Sequence, residues 1–219
     1  MVIKIRKVKL FKHWTRQDIA NEFGLKNERT CTDLDAWLAY EIELSDVEKE
    51  RLDKLQEKLK LYVDIWNEQE LIIKFISFII ELVDYDTEQF MSFANRKLKG
   101  EIDGKTVSGE VDLMIATGDF EPKEPYFCLH EYKKEKGADK DPLGQLLIAM
   151  LTARELNKND FPIYGAYVAG RNWFFLTLKE NTYCISEEYV ATRSDIYDIL
   201  RIMKGLKLII KEQSKSSNK

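Results

Sequence analysis

The chain has 219 residues, of which 44% are hydrophobic and 11% aromatic, enough to bury the core of one medium-sized domain. A charged fraction of 33% and a net charge of −4 are typical of a soluble protein and not of a strongly basic nucleic-acid-binding protein. The longest apolar run, FISFIIELV, is too short to span a bilayer, and no signal-peptide-like stretch opens the chain. These features predict a soluble, cytoplasmic protein.

The cysteines support the same compartment. Cys31, Cys128 and Cys184 are far apart, odd in number and show no CxxC spacing. This pattern predicts reduced thiols in an intracellular protein. With only His13 and His130 besides, a structural zinc site is not expected.

Positive charge is concentrated at both ends of the chain. Residues 1–17 carry six Lys or Arg and no acid, and residues 201–219 carry six against one Glu. Such clusters can contact phosphates, although solvated chain ends are the more common explanation.

The first half of the chain has helical periodicity with capping signals. Four stretches share this pattern: TRQDIANEFG, TDLDAWLAYEIEL, SDVEKERLDKLQEKLKLYVDIW and NEQELIIKFISFIIELVDYD. We interpret residues 1–66 as an N-terminal helical region packed on a core that spans residues 67–212.

The second half changes to strand periodicity. Asp103-Gly104 separates two extended runs and predicts a β-hairpin, and PYFCLHEYKKE predicts a third strand. A helix follows with Asp141 as its N-cap, then the apolar strand PIYGAYVAG, a hairpin and a closing helix. The predicted fold class is α/β (α+β), a central mixed β-sheet flanked by helices, and residues 213–219 are predicted to be a disordered tail.

Acidic and basic side chains converge in this predicted sheet. Glu131 and Lys133 are two residues apart on one strand and therefore share a face, as Glu110 and Asp112 do on the preceding strand. If the strands are neighbours, carboxylates and one ammonium group meet. Carboxylates are the ligands that Mg²⁺ prefers, and a bound cation would activate water and stabilise charge on a phosphate.

The spacing of these residues resembles the PD-(D/E)XK nuclease superfamily: Asp112, then Glu131-Tyr132-Lys133, then Gln145 on the next helix. The order of elements over roughly residues 68–170 is similar to its restriction-endonuclease-like core. The resemblance implies a DNA nuclease that depends on Mg²⁺ or Mn²⁺. It implies that Asp112, Glu131 and the Tyr132 carbonyl bind the metal, that Lys133 serves the attacking water, and that an acid comes from the helix before the sheet.

Two residues are candidates for that helix acid. Glu70 lies early in the helix and is preferred, and Glu81 is the alternative on the same polar stripe, which also contains Lys74 and Ser77. Each also has a structural explanation, since Glu70 suits a capping box with Asn67 and Glu81 a solvated helix end.

Positive residues after the motif are candidates for holding a phosphodiester backbone: Lys134, Lys136, Lys140 and Arg171. A solvated loop is the equal alternative. The nucleic acid is expected to be DNA, with RNA as an alternative.

Structural roles remain open for the other candidates. Asp112 could be structural, the Glu131–Lys133 pair a surface ion pair, and Gln145 a surface amide. Five further residues are more often structural than functional at such positions: Glu110 at a hairpin edge, and His130, Trp173, Phe174 and Phe175 in the core.

Two rival functions follow from the same sequence. The nuclease fold could serve as a catalytically inactive binding or regulatory subunit, or the helices over residues 45–66 could dock a partner as an adaptor. Residues 45–83 would also suit a homodimer surface or a protein partner.

Overall fold

The computed structural model describes residues 8–136 and 141–216, with the backbone alone at residue 216. Within these ranges the helices are α1 (Arg16–Phe23), α2 (Thr32–Leu38), α3 (Asp46–Tyr62), α4 (Glu68–Leu71), α5 (Ser77–Val83), α6 (Pro142–Asn157) and α7 (Asp195–Ser216). A 3₁₀ helix (Phe11–His13) precedes α1, and a π-helical segment (Ile72–Ile76) joins α4 to α5. The strands are β1 (Lys9–Leu10), β2 (Lys26–Asn27), β3 (Met91–Ile102), β4 (Lys105–Thr117), β5 (Lys123–Lys133), β6 (Ile163–Ala169), β7 (Asn172–Lys179), β8 (Thr182–Ile185) and β9 (Tyr189–Val190).

The strands form one mixed sheet. Its order is β1-β4-β5-β6-β7-β8-β2, with β3 paired to β4 and β9 to β7. The hairpin from β3 to β4 turns at Asp103 and Gly104, both with positive φ, and β5 then pairs antiparallel with β4. β5 and β6 are parallel and are connected through α6. The predicted mixed sheet flanked by helices is confirmed.

Each face of the sheet is covered by a helical layer. Helices α2 to α5 and α7 cover one face, where Trp37 is fully buried and its Nε1 donates a 2.8 Å hydrogen bond to the Ile202 carbonyl. Helices α1 and α6 cover the other face, with Phe11 and Trp14 from the N-terminal segment. The sheet therefore holds its strand ends rigidly between two hydrophobic layers.

The N-terminal 66 residues contribute to the sheet as well as to the helices. β1 pairs parallel with β4, and β2 pairs parallel with β8. Neither strand was predicted from the sequence, because two-residue strands carry no measurable alternation of polar and apolar residues.

The C-terminal boundary also differs from the prediction. Residues 213–216 were expected in a disordered tail, but α7 continues to Ser216, with Gln213 and Ser214 buried. Residues 217–219 lie outside the described residues. The apolar face of α7 extends the helix beyond the point at which the composition becomes polar.

The expectation of reduced cysteines is wrong in the structure. Cys31, the N-cap of α2, and Cys184 of β8 form a disulfide, with Cα atoms 6.1 Å apart. Cys128 is free and buried. A separation of 153 residues in sequence concealed a pair that the sheet brings together.

None of the helices in the described part of the chain is long and apolar enough to cross a membrane.

The N-terminal segment is seated on β4 at a glycine. A Cβ at Gly109 would overlap the ring of Phe11, which is buried. We expect Gly109→Ala to lower the free energy of unfolding by about 1–3 kcal/mol, because the ring must shift within a packed core. Urea denaturation measures the change.

A double-mutant cycle provides the control. Phe11→Leu in the Gly109→Ala background should cost less than Phe11→Leu alone, since the smaller side chain relieves the overlap. If the changes in unfolding free energy of the two substitutions were strictly additive, the contact between Phe11 and position 109 would be contradicted.

Candidate active site

The candidate site lies where β4 and β5 separate. The β4–β5 ladder extends from Thr117 only to the pair Leu113–His130. Beyond this pair, the N-terminal half of β4 pairs with β1, and the end of β5 pairs with β6. The separation leaves backbone groups at the end of β5 without a partner on β4.

Asp112 occupies the point of separation. Its Oδ2 accepts a 2.7 Å hydrogen bond from the Tyr132 N–H, a donor that a continuing β4–β5 ladder would have used. The strand is irregular here, because Val111 packs on one face of the sheet whereas Leu113 and Ile115 pack on the other. This geometry fixes the Asp112 carboxylate beside the Glu131-Tyr132-Lys133 segment.

Lys133 joins two carboxylates from different elements. Its Nζ lies 2.7 Å from Glu131 Oε1 and 3.3 Å from Glu68 Oε2 at the start of α4. The Lys133 side chain is 17% exposed and Glu131 only 2%, so the pair is shielded from water on most sides. The Glu131–Lys133 pair is therefore not the solvent-exposed ion pair that the sequence left open.

Burial and mutual repulsion perturb the two central carboxyl groups. Burial raises the pKa of Glu131 to about 8, and the charge of Asp112 adds to it while Lys133 opposes it. Burial also raises the pKa of Asp112. The hydrogen bond from Tyr132 and the charge of Lys133 act in the opposite direction but do not cancel this effect. For Lys133 burial acts to lower the pKa, but the charges of Glu131, Asp112 and Glu68 outweigh it and the net shift is upward.

A second set of contacts fixes the end of β5. Gly170, with φ of 59°, donates from its N–H to the Lys133 carbonyl at 2.8 Å. The Arg171 N–H and Nε both donate to the Glu135 carboxylate, at 2.9 and 2.7 Å, and the Arg171 guanidinium also reaches Asp64 at 3.1 Å. The turn from β6 to β7 thereby holds Lys133 from the side opposite Asp112.

The helix acid differs from the predicted one. Glu70 lies in a capping box with Asn67 and pairs with Lys74 at 2.7 Å, and Glu81 is exposed and pairs with Arg51. Neither lies in the cluster around Lys133; Glu68 takes that place.

A sequence signal for Glu68 existed but was missed. Glu68 precedes the buried residues Leu71 and Phe75 by three and seven positions, which places it on the face of the helix that packs against the sheet. Glu70 is two positions further on, about 200° around the helix, and therefore points away.

Gln145 lies on α6 and lines a cavity with Glu110. Glu110 is exposed, as its expected hairpin-edge role suggested, and its charge contributes to the raised pKa of Asp112. His130 faces away from Glu131, is buried, and has its Nδ1 2.7 Å from the Tyr132 hydroxyl, which is the packed role expected for it.

The predicted phosphate contacts have mixed positions. Arg171 and Lys136 both pair with Asp64, so their charges are already partly neutralised. Lys134 is exposed, and Lys140 lies outside the described residues. Trp173 and Phe175 are fully buried in the sheet core, whereas Phe174 is only partly buried and stacks on Tyr167.

The donor atoms of the cluster decide whether it could hold a divalent cation. In the ranges 8–136 and 141–216, no group of three His, Cys, Asp or Glu side chains is placed to hold a metal ion. Mg²⁺, however, is usually bound through one or two carboxylates and completed by water. Glu131 Oε1 is buried and forms no hydrogen bond with a described residue, although it lies against Lys133 Nζ. Asp112 and Glu131 therefore fit a cation of this kind in donor chemistry.

No family model matches the chain, and no curated protein matches it in sequence.

The cluster predicts a variant that is more stable than the parent. Three carboxylates face one ammonium group, so the fully ionised cluster carries a net charge of −2. In metal-free buffer, Glu131→Gln should raise the free energy of unfolding by on the order of a few kcal/mol near pH 8. Thermal denaturation in EDTA from pH 5 to pH 9 measures this.

The direction with pH follows from the raised pKa. The folded state holds the Glu131 proton more tightly than the unfolded state, whose pKa is near 4.5, so the parent loses stability as pH rises towards 8. Glu131→Gln removes this loss, and its advantage should grow over the same range. The control Glu70→Gln should show no such trend. A Glu131→Gln variant less stable than the parent at every pH would contradict the repulsion.

Proposed function

We propose that this protein is a metal-dependent nuclease of the PD-(D/E)XK type that hydrolyses phosphodiester bonds of DNA. The observation that carries the proposal is the convergence of Asp112, Glu131, Glu68 and Lys133 where β4 and β5 separate. These residues come from two strands and a helix, in the element order on which the resemblance rests. A purely structural ion pair does not need three carboxylates around one ammonium group in a largely buried position.

Asp112 and Glu131 would hold the cation, Mg²⁺ or Mn²⁺, with Glu68 as the additional acid and the Tyr132 carbonyl as a remaining predicted ligand. The bound cation would supply a more acidic water and would neutralise charge on the phosphate. Asp112 is pre-oriented, since the Tyr132 N–H fixes one of its oxygens and leaves the other available. A bound cation would also offset the charge of Asp112, which adds to the effect of burial in raising the pKa of Glu131.

Lys133 has the position of a group that acts on water. Its ammonium is held between Glu131 and Glu68, and the Lys133 side chain is still 17% exposed. A fixed ammonium group can orient a nucleophilic water and stabilise negative charge as it develops in the transition state. The proposal assigns this role to Lys133 and none to Glu70 or Glu81.

The cellular compartment is also part of the proposal: we place the protein in the cytoplasm. A nuclease acting on intracellular DNA would work in the cytoplasm, whereas a stable disulfide such as Cys31–Cys184 is typical of oxidising compartments. Counting free thiols in protein alkylated at the moment of cell lysis decides between the two compartments: three free thiols indicate the cytoplasm, and one indicates an oxidising compartment.

Two substitutions separate metal binding from catalysis. Asp112→Asn keeps an oxygen that can accept the Tyr132 hydrogen bond but removes the charge, so divalent-ion binding and plasmid nicking should both fall. Lys133→Met keeps the packing of the aliphatic stem, so the cation should bind at least as tightly while nicking falls by on the order of 10²-fold or more. Calorimetry with Mg²⁺ or Mn²⁺ and a plasmid-nicking assay measure the two properties.

Lys54→Met is the matched control and should nick like the parent, since Lys54 is an exposed lysine of α3 that pairs with Glu50 and lies outside the cluster. A parent that binds no divalent ion and cuts no DNA would overturn the proposal. The cluster would then be the structural remnant expected of an inactive binding subunit. A Lys133→Met variant as active as the parent would remove Lys133 from the mechanism.

A further inference from the structure

A cavity lies beside the candidate active site, between the N-terminal segment and the β3–β4 hairpin. Its volume of about 400 Å³ is in the range of small-ligand sites, roughly 300–1,000 Å³. Leu10, which is exposed, provides an apolar wall, and Gly109 lets the buried Phe11 ring lie directly against β4. An apolar wall of this kind suits a flat, partly apolar group such as a nucleobase.

The rest of the cavity wall is polar and carries two cations and the carboxylate of Glu110. Lys12 and Lys97 contribute ammonium groups, Ser108 a hydroxyl and Gln145 an amide. No ion pair links Lys12 or Lys97 to any other residue that the structure describes. These cations are therefore available to a ligand that brings negative charge.

Neighbouring cations of the N-terminal segment behave differently. Lys9 pairs with Asp18 at 3.0 Å, and Arg16 pairs with Asp141 at 3.0 Å. Of the basic residues of this segment that the structure describes, Lys12 is the one that lines the cavity. The described cations of this segment, Lys9, Lys12 and Arg16, are therefore not simply a solvated charge cluster, and Lys4, Arg6 and Lys7 lie outside the described residues.

The cavity is connected to the carboxylate cluster through β4. Glu110 lines the cavity and lies two residues before Asp112, close enough for its charge to act on that carboxyl group. Lys97 is the register partner of Glu110 on β3. A chain that places a phosphate at Asp112 and Glu131 can therefore extend its next residue into the cavity.

We infer that this cavity binds the nucleotide next to the scissile phosphate of a nucleic acid strand, with Lys12 and Lys97 on its backbone phosphates. The inference rests on the proposed nuclease function and adds the path of the substrate to it. It places the phosphate contacts on the side of β3 and β4 and not at Arg171 and Lys136, which pair with Asp64. In this arrangement the side-chain amide of Gln145 lines the cavity and can bind the nucleotide.

Binding without catalysis provides the test. A short fluorescein-labelled DNA duplex and the matching single strand are titrated with protein in EDTA, and fluorescence anisotropy is followed at several salt concentrations. Lys12→Ala and Lys97→Ala should each weaken binding roughly tenfold at low salt. Each should also reduce the slope of log affinity against log salt by about 1, the amount expected for one lost phosphate contact.

Two further variants show whether the cavity matters or only the charge. Lys54→Ala removes one exposed lysine on α3, where it pairs with Glu50, and should bind DNA like the parent. Ser108→Trp changes no charge but fills the cavity, and should weaken binding while leaving the salt slope nearer to that of the parent. Thermal denaturation of each variant confirms that it is folded.

The outcomes distinguish this inference from the proposed function. A parent that cuts DNA with lysine variants that bind like Lys54→Ala would overturn the inference and leave the nuclease standing. A parent that binds DNA through Lys12 and Lys97 but neither binds metal nor cuts would support the cavity and overturn the nuclease. A parent that binds no DNA would overturn the inference outright.

Discussion

The hydrogen bond from the Tyr132 N–H to Asp112 Oδ2 determines how the candidate site is built. A sheet cannot leave a backbone donor unpaired in its interior without a cost of about 1–3 kcal/mol. Where β4 turns from β5 towards β1, the side chain of Asp112 takes over the pairing that a backbone carbonyl would provide. One residue thus closes a gap in the ladder and places a carboxylate beside Glu131.

Everything else in the cluster is arranged around that gap. Glu131 and Lys133 stand on the strand end that the gap exposes, and β6 supports them from the other side through a parallel ladder. The Gly170 N–H fixes the Lys133 carbonyl, and Glu68 approaches from the first turn of α4. The site combines rigid strand ends with buried charge, and such positions are where proteins hold groups with perturbed pKa values.

The excess of negative charge in the cluster would favour the binding of the cation that the proposed function requires. Lys133 alone cannot neutralise Glu131, Asp112 and Glu68, and burial denies Glu131 and Asp112 much of the screening of bulk water. The folded protein tolerates this because the two hydrophobic layers on the sheet stabilise the strand ends independently of the cluster. The proposed function would therefore be in opposition to stability, as is common at catalytic sites.

The central strands and three of the four cluster residues could be predicted from the sequence. Asp103-Gly104 fixes the hairpin, and a spacing of two on one strand brings Glu131 and Lys133 together by local geometry alone. Glu68 could not be chosen in the same way, because the rotation of its helix depends on how Leu71 and Phe75 pack against the sheet. The local capping box made Glu70 the more visible residue.

Elements of only two residues could also not be predicted from the sequence. β1 and β2 exist because β4 and β8 offer unpaired edges, a tertiary property that no two-residue pattern encodes. The cavity lined by Lys12 and Lys97 depends on β1 and could not be seen without it. The Cys31–Cys184 pair likewise arises from the placement of α2 against the sheet.

Anomalous diffraction from crystals of the protein soaked in Mn²⁺ tests the central claim most directly. The account predicts a manganese peak bound by the carboxylates of Asp112 and Glu131, with Lys133 retained beside it. Crystals without a peak at this position, in which Lys133 still bridges Glu131 and Glu68, would contradict the account.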